Sequence, residues 1–158
     1  MSPSRKLRDR EAASRWRRAQ LGRVVFTNGV FELLHPGHVA LLEAARALGD
    51  ALIVGINSDA SAARLAKGHG RPVVTAPDRA RVVAGLGAVD CVVLFDEDTP
   101  DALIDELMPD VLVKGDDYDP EHLPGAARVR ARGGTVMVLP REPGYSTTDL
   151  LERIRATS

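Results

Sequence analysis

Two histidines, His35 and His38, enclose a proline and a glycine. Imidazole donates or accepts hydrogen bonds and changes charge near neutrality, so such a pair suits proton transfer, metal ligation or anion binding. The flanking residues choose among these. Arg23-Val24-Val25-Phe26 ahead of the pair reads as a strand, and Val39-Ala40-Leu41-Leu42-Glu43-Ala44-Ala45 behind it reads as a helix. A strand-to-helix junction gathers free backbone N–H groups and the positive end of a helix dipole, which favour an anion, phosphate above all. For a metal site, no carboxylate or cysteine cluster obviously completes the two histidines.

A second element has the same physics. Ser146, Thr147 and Thr148 follow Gly144-Tyr145 and precede the helical pattern Asp149-Leu150-Leu151-Glu152-Arg153-Ile154. One hydroxyl suffices to cap a helix. Three in a row, with Arg141 just upstream, make a cradle of hydroxyls, backbone N–H groups and a guanidinium that suits a polyphosphate.

The elements that must position these residues alternate along the chain. Strand-like apolar runs lie at 24–27, 51–56, 91–95, 111–113 and 135–139, with helical patterns near 38–48, 59–66, 77–86, 100–108, 124–132 and 147–155. Gly49 and Gly133-Gly134 stand where left-handed helix caps are expected. Val-, Leu- and Ile-rich strands between helices predict a doubly wound α/β domain around a five-stranded parallel sheet, Rossmann-like in class. In such a sheet the ligand sits beyond the carboxyl ends of the strands. The residues after each strand gather there: Asn28 to His38, Asn57-Ser58-Asp59, Lys114 to Tyr118, and Arg141 to Asp149.

The common nucleotide loops, G-x-x-x-x-G-K-[ST] and G-x-G-x-x-G, are absent, as are the G-x-S-x-G and H-E-x-x-H motifs. At 158 residues, 44% hydrophobic and 27% charged, the composition suits one globular domain with an ordinary core. A net charge of −1 gives no reason to expect a nucleic-acid partner. No apolar run is long enough for a membrane helix, and no secretory signal is visible, so the chain reads as cytoplasmic. The single cysteine, Cys91, lies in an apolar run and reads as a buried packing residue. Residues 1–20 differ in character, with seven basic residues among Asp9, Glu11 and the lone Trp16. They read as a basic helical extension whose apolar stripe of Leu7, Ala12, Trp16 and Ala19 packs on the domain, 21–158, or on a partner subunit.

His35-Pro36-Gly37-His38 after Asn28-Gly29-Val30-Phe31, with Arg141-Glu142-Pro143-Gly144-Tyr145-Ser146-Thr147-Thr148 at the far end, resembles the HxGH nucleotidyltransferase superfamily. Within it the chain is most similar to the adenylyltransferases that activate D-glycero-β-D-manno-heptose 1-phosphate. Asn57-Ser58-Asp59-Ala60-Ser61, Lys67-Gly68, Arg71-Pro72-Val73, Phe95-Asp96-Glu97-Asp98-Thr99-Pro100 and Lys114-Gly115-Asp116-Asp117-Tyr118 carry that likeness, which covers roughly residues 22–156. It implies transfer of AMP from ATP to a sugar 1-phosphate, with Mg²⁺ accompanying the triphosphate and no metal site of the protein's own. It also implies catalytic roles for His35, His38 and Lys67. Nucleotide contacts are implied at Val30, Phe31, Gly37, Arg79, Asp116, Arg141, Ser146, Thr147 and Thr148, and a homo-oligomer, dimer or tetramer, is implied as the working form. Many members carry aspartate where this chain has Glu32. In many, the domain follows a sugar kinase; here a separate kinase would supply the sugar 1-phosphate. A glycerol 3-phosphate cytidylyltransferase and a non-catalytic nucleotide-binding module remain the alternatives.

Overall fold

The computed structural model describes residues 1–66, 70–119 and 121–158. Five strands, β1 (Val24–Gly29), β2 (Ala51–Asn57), β3 (Cys91–Phe95), β4 (Val111–Gly115) and β5 (Thr135–Leu139), form one parallel sheet in the order β3-β2-β1-β4-β5. The strand order reverses at β1, which pairs with β2 on one side and β4 on the other. That reversal opens the crevice in which ligands of such sheets bind. The predicted fold class is the observed one.

Strand residues point alternately to the two faces, and two separate cores result. Val24, Phe26, Ile53, Val93 and Leu112 join one cluster, with Leu103, Ile104 and Leu107 of α6 (Asp101–Leu107) and Val129 of α7 (Ala126–Ala131). Val25, Leu52, Val54, Val92 and Val113 join the other, with Leu42 and Ala45 of α3 (Pro36–Arg46) and, beyond α4 (Asp59–Leu65), Ala80, Val83 and Ala84 of α5 (Ala76–Ala84). All seven residues of β2 are buried, as a strand covered on both faces requires. Cys91 is buried within the first cluster, and burial pushes its thiol up to about 11.

Two local expectations change. Gly49 is not left-handed: among the described residues the positive-φ glycines are Gly70, Gly125, Gly133 and Gly144. Gly49 is needed for close approach instead, because a Cβ there would lie 2.7 Å from the Arg23 carbonyl oxygen and 2.8 Å from Val25 Cγ2. Gly133, at φ +80°, is the left-handed turn after α7.

The amino-terminal segment also differs in detail. Helix α1 (Pro3–Lys6) is followed by a parallel bridge from Leu7 to Val92 of β3, and only then by α2 (Arg10–Arg18). Asp9 caps α2 by accepting from the Ala12 N–H at 2.7 Å. Leu7 thus lies outside the helical stripe, and Ala19 is exposed. The buried face is centred on Ala13, fully buried in the first core, with Trp16 packed beside it. Arg17 donates to the Leu107 and Met108 carbonyls, which fixes α2 against the end of α6. Ala13→Leu overpacks this contact and is expected to cost about 1–3 kcal/mol, read as a lower urea midpoint. An unchanged midpoint would detach α2 from the core.

Candidate active site

The carboxyl ends of β1, β4 and β5 and the amino-termini of α3 and α8 (Thr147–Ala156) surround a cleft of about 320 Å³. His35 is the N-cap of α3, in extended conformation, and Pro36 supplies the first helical position. The His35 Nδ1 accepts from the Gly37 N–H at 3.1 Å, and the His38 Nδ1 accepts from the His35 N–H at 3.2 Å. Each bond satisfies a backbone donor that the helix start leaves open. Each also assigns a tautomer: an Nδ1 that accepts leaves the proton on Nε2. The rings lie 3.8 Å apart, and Tyr145 stacks on His35 at 5.8 Å.

Gly37 is what allows this fold-back, since a Cβ there would lie 2.9 Å from the His35 ring and 3.1 Å from Tyr145 Cβ. Burial lowers the pKa of both imidazoles, and for His38 burial with the neighbouring His35 charge brings it to about 4. At neutral pH the pair therefore presents two uncharged Nε2–H donors.

Before the histidines, Phe31 takes a left-handed φ of +52° that a bulky side chain rarely adopts. Its ring is buried and packs on His38 at 5.4 Å between centroids. Backbone strain of this kind persists where the surroundings over-determine it. Arg79 is one cause. It is 1% exposed and donates to the carbonyls of Val30 at 2.6 Å and Val74 at 2.8 Å, and to Asp59 Oδ1 at 2.9 Å. The expected phosphate-facing arginine is thus found beneath the cleft, clamping the loop that forms it.

The three hydroxyls of the second element have three different anchors. Ser146 caps α8 by accepting from the Asp149 N–H at 3.3 Å. The Thr147 hydroxyl donates to the Leu33 carbonyl at 3.4 Å, and the Thr148 Oγ1 accepts from Arg71 Nη1 at 3.3 Å. All three border the cleft, as do Val30, Phe31, Gly37, His35 and His38. Arg141 stands at the rim, its Nε donating to Asp116 Oδ1 at 2.9 Å. Asp116 follows β4 as an exposed turn residue, and its carboxylate holds Arg141. Lys67 lies outside the described residues.

Two pairings escape a reading by motif. Lys114, the penultimate residue of β4, is only 7% exposed, and its ammonium donates to the Asn28 carbonyl at 2.6 Å while lying 4.5 Å from the Tyr118 ring centre. Burial pulls its pKa down to about 8. The signal was present, a lysine closing the apolar run Val111-Leu112-Val113. The other is the pair of buried Glu32 and half-buried Arg71, joined at 2.7 Å. These partners lie 39 positions apart in sequence, and no spacing rule connects them.

The His38 titration is a direct check on this geometry. Its folded pKa near 4 lies below the ordinary 6.5, so the unfolded chain binds the proton more readily. That contribution to stability is complete above about 6.5 and is lost as pH falls toward 4. NMR of the free protein is expected to show His38 titrating near 4, and a bound triphosphate should raise that value. A His38 that titrates at 6.5 without ligand would contradict the buried, backbone-bonded ring.

The cytidylyltransferase-like family model matches residues 26–153. The chain is 53% identical over 134 residues to the bifunctional protein HldE of Haemophilus ducreyi, covering 85% of this chain and 28% of that one. It is 56% identical over 138 residues to the bifunctional protein HldE of Pseudomonas paraeruginosa, covering 87% and 29%. It spans less than a third of the length of these relatives. Among solved structures, the lipopolysaccharide core biosynthesis protein of Thermoplasma volcanium superposes with a TM-score of 0.64 at 28% identity, covering 77% of this chain and 97% of that one. The match runs from β1 through most of α8, across the histidine pair, the clamped loop and the hydroxyl-rich helix start, and this chain belongs to the cytidylyltransferase-like family.

Proposed function

We propose that the protein is an adenylyltransferase that joins AMP from ATP to a sugar 1-phosphate, D-glycero-β-D-manno-heptose 1-phosphate, giving ADP-heptose and pyrophosphate. A phosphate oxygen of the sugar attacks the α-phosphorus of ATP, and the bond from that phosphorus to the β-phosphate bridge oxygen breaks. The electron pair leaves with pyrophosphate. The acceptor is already an anion, so the step needs no base from the protein. What it needs is alignment and relief of charge on the non-bridging oxygens.

The observation that carries this reading is the tautomer of the two histidines. A pair so reluctant to take a proton is a poor general base and a good neutral donor. Fixed donors aimed at developing negative charge lower the barrier without reorganising during the step. In this reading Ser146, Thr147 and Thr148, at the positive end of α8, hold the β- and γ-phosphates. Arg141 meets the phosphates from the rim, with Asp116 steering it. Lys67 neutralises the α-phosphate, a role taken from the family resemblance alone. Val30, Phe31 and Gly37 shape the floor beneath the nucleotide.

Magnesium belongs to this reading as the partner of the triphosphate. Among the described residues, no group of three or more His, Cys, Asp or Glu side chains could hold a metal ion. The ion would arrive with ATP, ligated by phosphate oxygens and water, as Mg²⁺ commonly is. Choice of the heptose is supported by the relatives above at 53% and 56% identity. Among the described residues, no helix is long and apolar enough to cross a membrane. With ATP as substrate, the cytoplasm is the compartment we assign, and a homo-oligomer the working form.

Pyrophosphate release measured with ATP, CTP, GTP and UTP, each against the heptose 1-phosphate and glycerol 3-phosphate, tests the reading. Release is expected with ATP and the heptose. Release with CTP and glycerol 3-phosphate would move the protein to the sister branch, and silence in every pair would leave a binding module. His38→Ala is expected to lower kcat by about 10²–10³-fold, as loss of one transition-state donor does, with nucleotide affinity far less changed. A variant with near-normal turnover would remove His38 from the mechanism.

A further inference from the structure

A transfer between two substrates requires two places. A second cavity of about 200 Å³ adjoins the main cleft, and Val30 and Thr148 line both. Its polar groups are Glu32, Arg71 and Thr148, set among Ala62, Leu65 and Pro72. Glu32 is 5% exposed. Its Oε2 accepts from Arg71 Nε at 2.7 Å, and its Oε1 accepts from the Val73 N–H at 2.7 Å. Arg71 Nη1 reaches Thr148 Oγ1 at 3.3 Å, in the first turn of α8.

This arrangement orients a guanidinium by one edge. Glu32 occupies Nε, and among the described residues Thr148 alone pairs with the Nη groups. The remaining N–H groups form a planar fork matched to two phosphate oxygens. In-line displacement puts the attacking and leaving oxygens on opposite sides of the phosphorus. With the nucleotide along the larger cleft, the smaller cavity opens onto it beside Val30 and Thr148.

Resting on the adenylyl-transfer reading above, we propose that the smaller cavity takes the acceptor. The outer edge of Arg71 binds the phosphate group of the sugar 1-phosphate, and Glu32 is the positioning residue that aims it. Ala62, Leu65 and Pro72 offer apolar walls to the carbon face of the sugar ring. The neutral Glu32–Arg71 pair keeps the cavity from holding a bare uncompensated charge before the acceptor arrives.

The test compares wild type with R71A, R71K, E32Q and E32D. Pyrophosphate release is measured with the acceptor varied at saturating ATP and with ATP varied at saturating acceptor. Binding of α,β-methylene-ATP is measured by calorimetry. R71A is expected to raise the acceptor KM about 10–100-fold, the scale of one charge-assisted hydrogen bond. Affinity for the ATP analogue should hold within about twofold, since the lost contact is not to the nucleotide. R71K, which keeps the charge without the fork, should fall between. E32Q should move the same KM with little change in kcat, and E32D should recover part of the loss.

An unmoved acceptor KM in R71A, or an equal loss for both substrates, overturns the assignment. Should R71A fail to fold, R71K and E32Q carry the same comparison. If wild type prefers CTP and glycerol 3-phosphate, the comparison is made with that pair and keeps its meaning. Wild type silent with every pair overturns the functional reading, and the acceptor site with it.

Discussion

Two backbone N–H groups at the start of α3 set what the histidines are able to do. Those of His35 and Gly37 have no partner within the helix, and each is taken up by an imidazole Nδ1. The same two bonds close the helix, fix both ring orientations and leave Nε2 as the donor of each ring. Capping and chemistry are therefore one interaction here. A side chain that capped equally well but only accepts, such as aspartate, would keep the helix and present no donor toward the cleft.

The loop that carries this cap is held from below by ions. Arg79 fixes the Val30 carbonyl, and Lys114 fixes the Asn28 carbonyl, each from a buried position. Both bonds run from a charged donor to a backbone oxygen, a stronger class than neutral pairs. With the carbonyls turned down to these cations, the chain between β1 and α3 follows a course that puts Phe31 in the left-handed region. The strain at Phe31 thus has identifiable supports in the residues just before it. It also brings the Phe31 ring over His38 and contributes to the low proton affinity of that imidazole through burial.

Much of this was legible in the sequence. The alternation of strands and helices gave the sheet class, because fully buried parallel strands are apolar throughout. The histidine pair and the Ser-Thr-Thr element were legible because helix starts have a chemical signature. The buried ions were not, since their partners lie far apart in the chain: Lys114 and Asn28 are joined across 86 positions, Arg79 and Val30 across 49. Arg79 shows the limit most clearly. Its type and place fit a phosphate contact, and only burial distinguishes a cation that meets a ligand from one that braces a loop. Gly49 shows it again, since local sequence cannot separate a left-handed turn from a close approach to Arg23.

The short parallel bridge from Leu7 to Val92 has a consequence beyond anchoring α2. The Arg8 N–H donates to the Val92 carbonyl at 3.0 Å, so one outer strand of the sheet has part of its hydrogen-bonding edge occupied by the chain itself. The charged residues Lys6 and Arg8 flank that contact, as edge-guarding residues do. The opposite outer strand, β5, is only half-buried along its whole length. Among the described residues, β4 is the strand it pairs with, and no chain segment bridges its outer edge as Leu7 bridges β3. Strand-to-strand stacking of copies would therefore be polar, able to begin at β5 but impeded at β3.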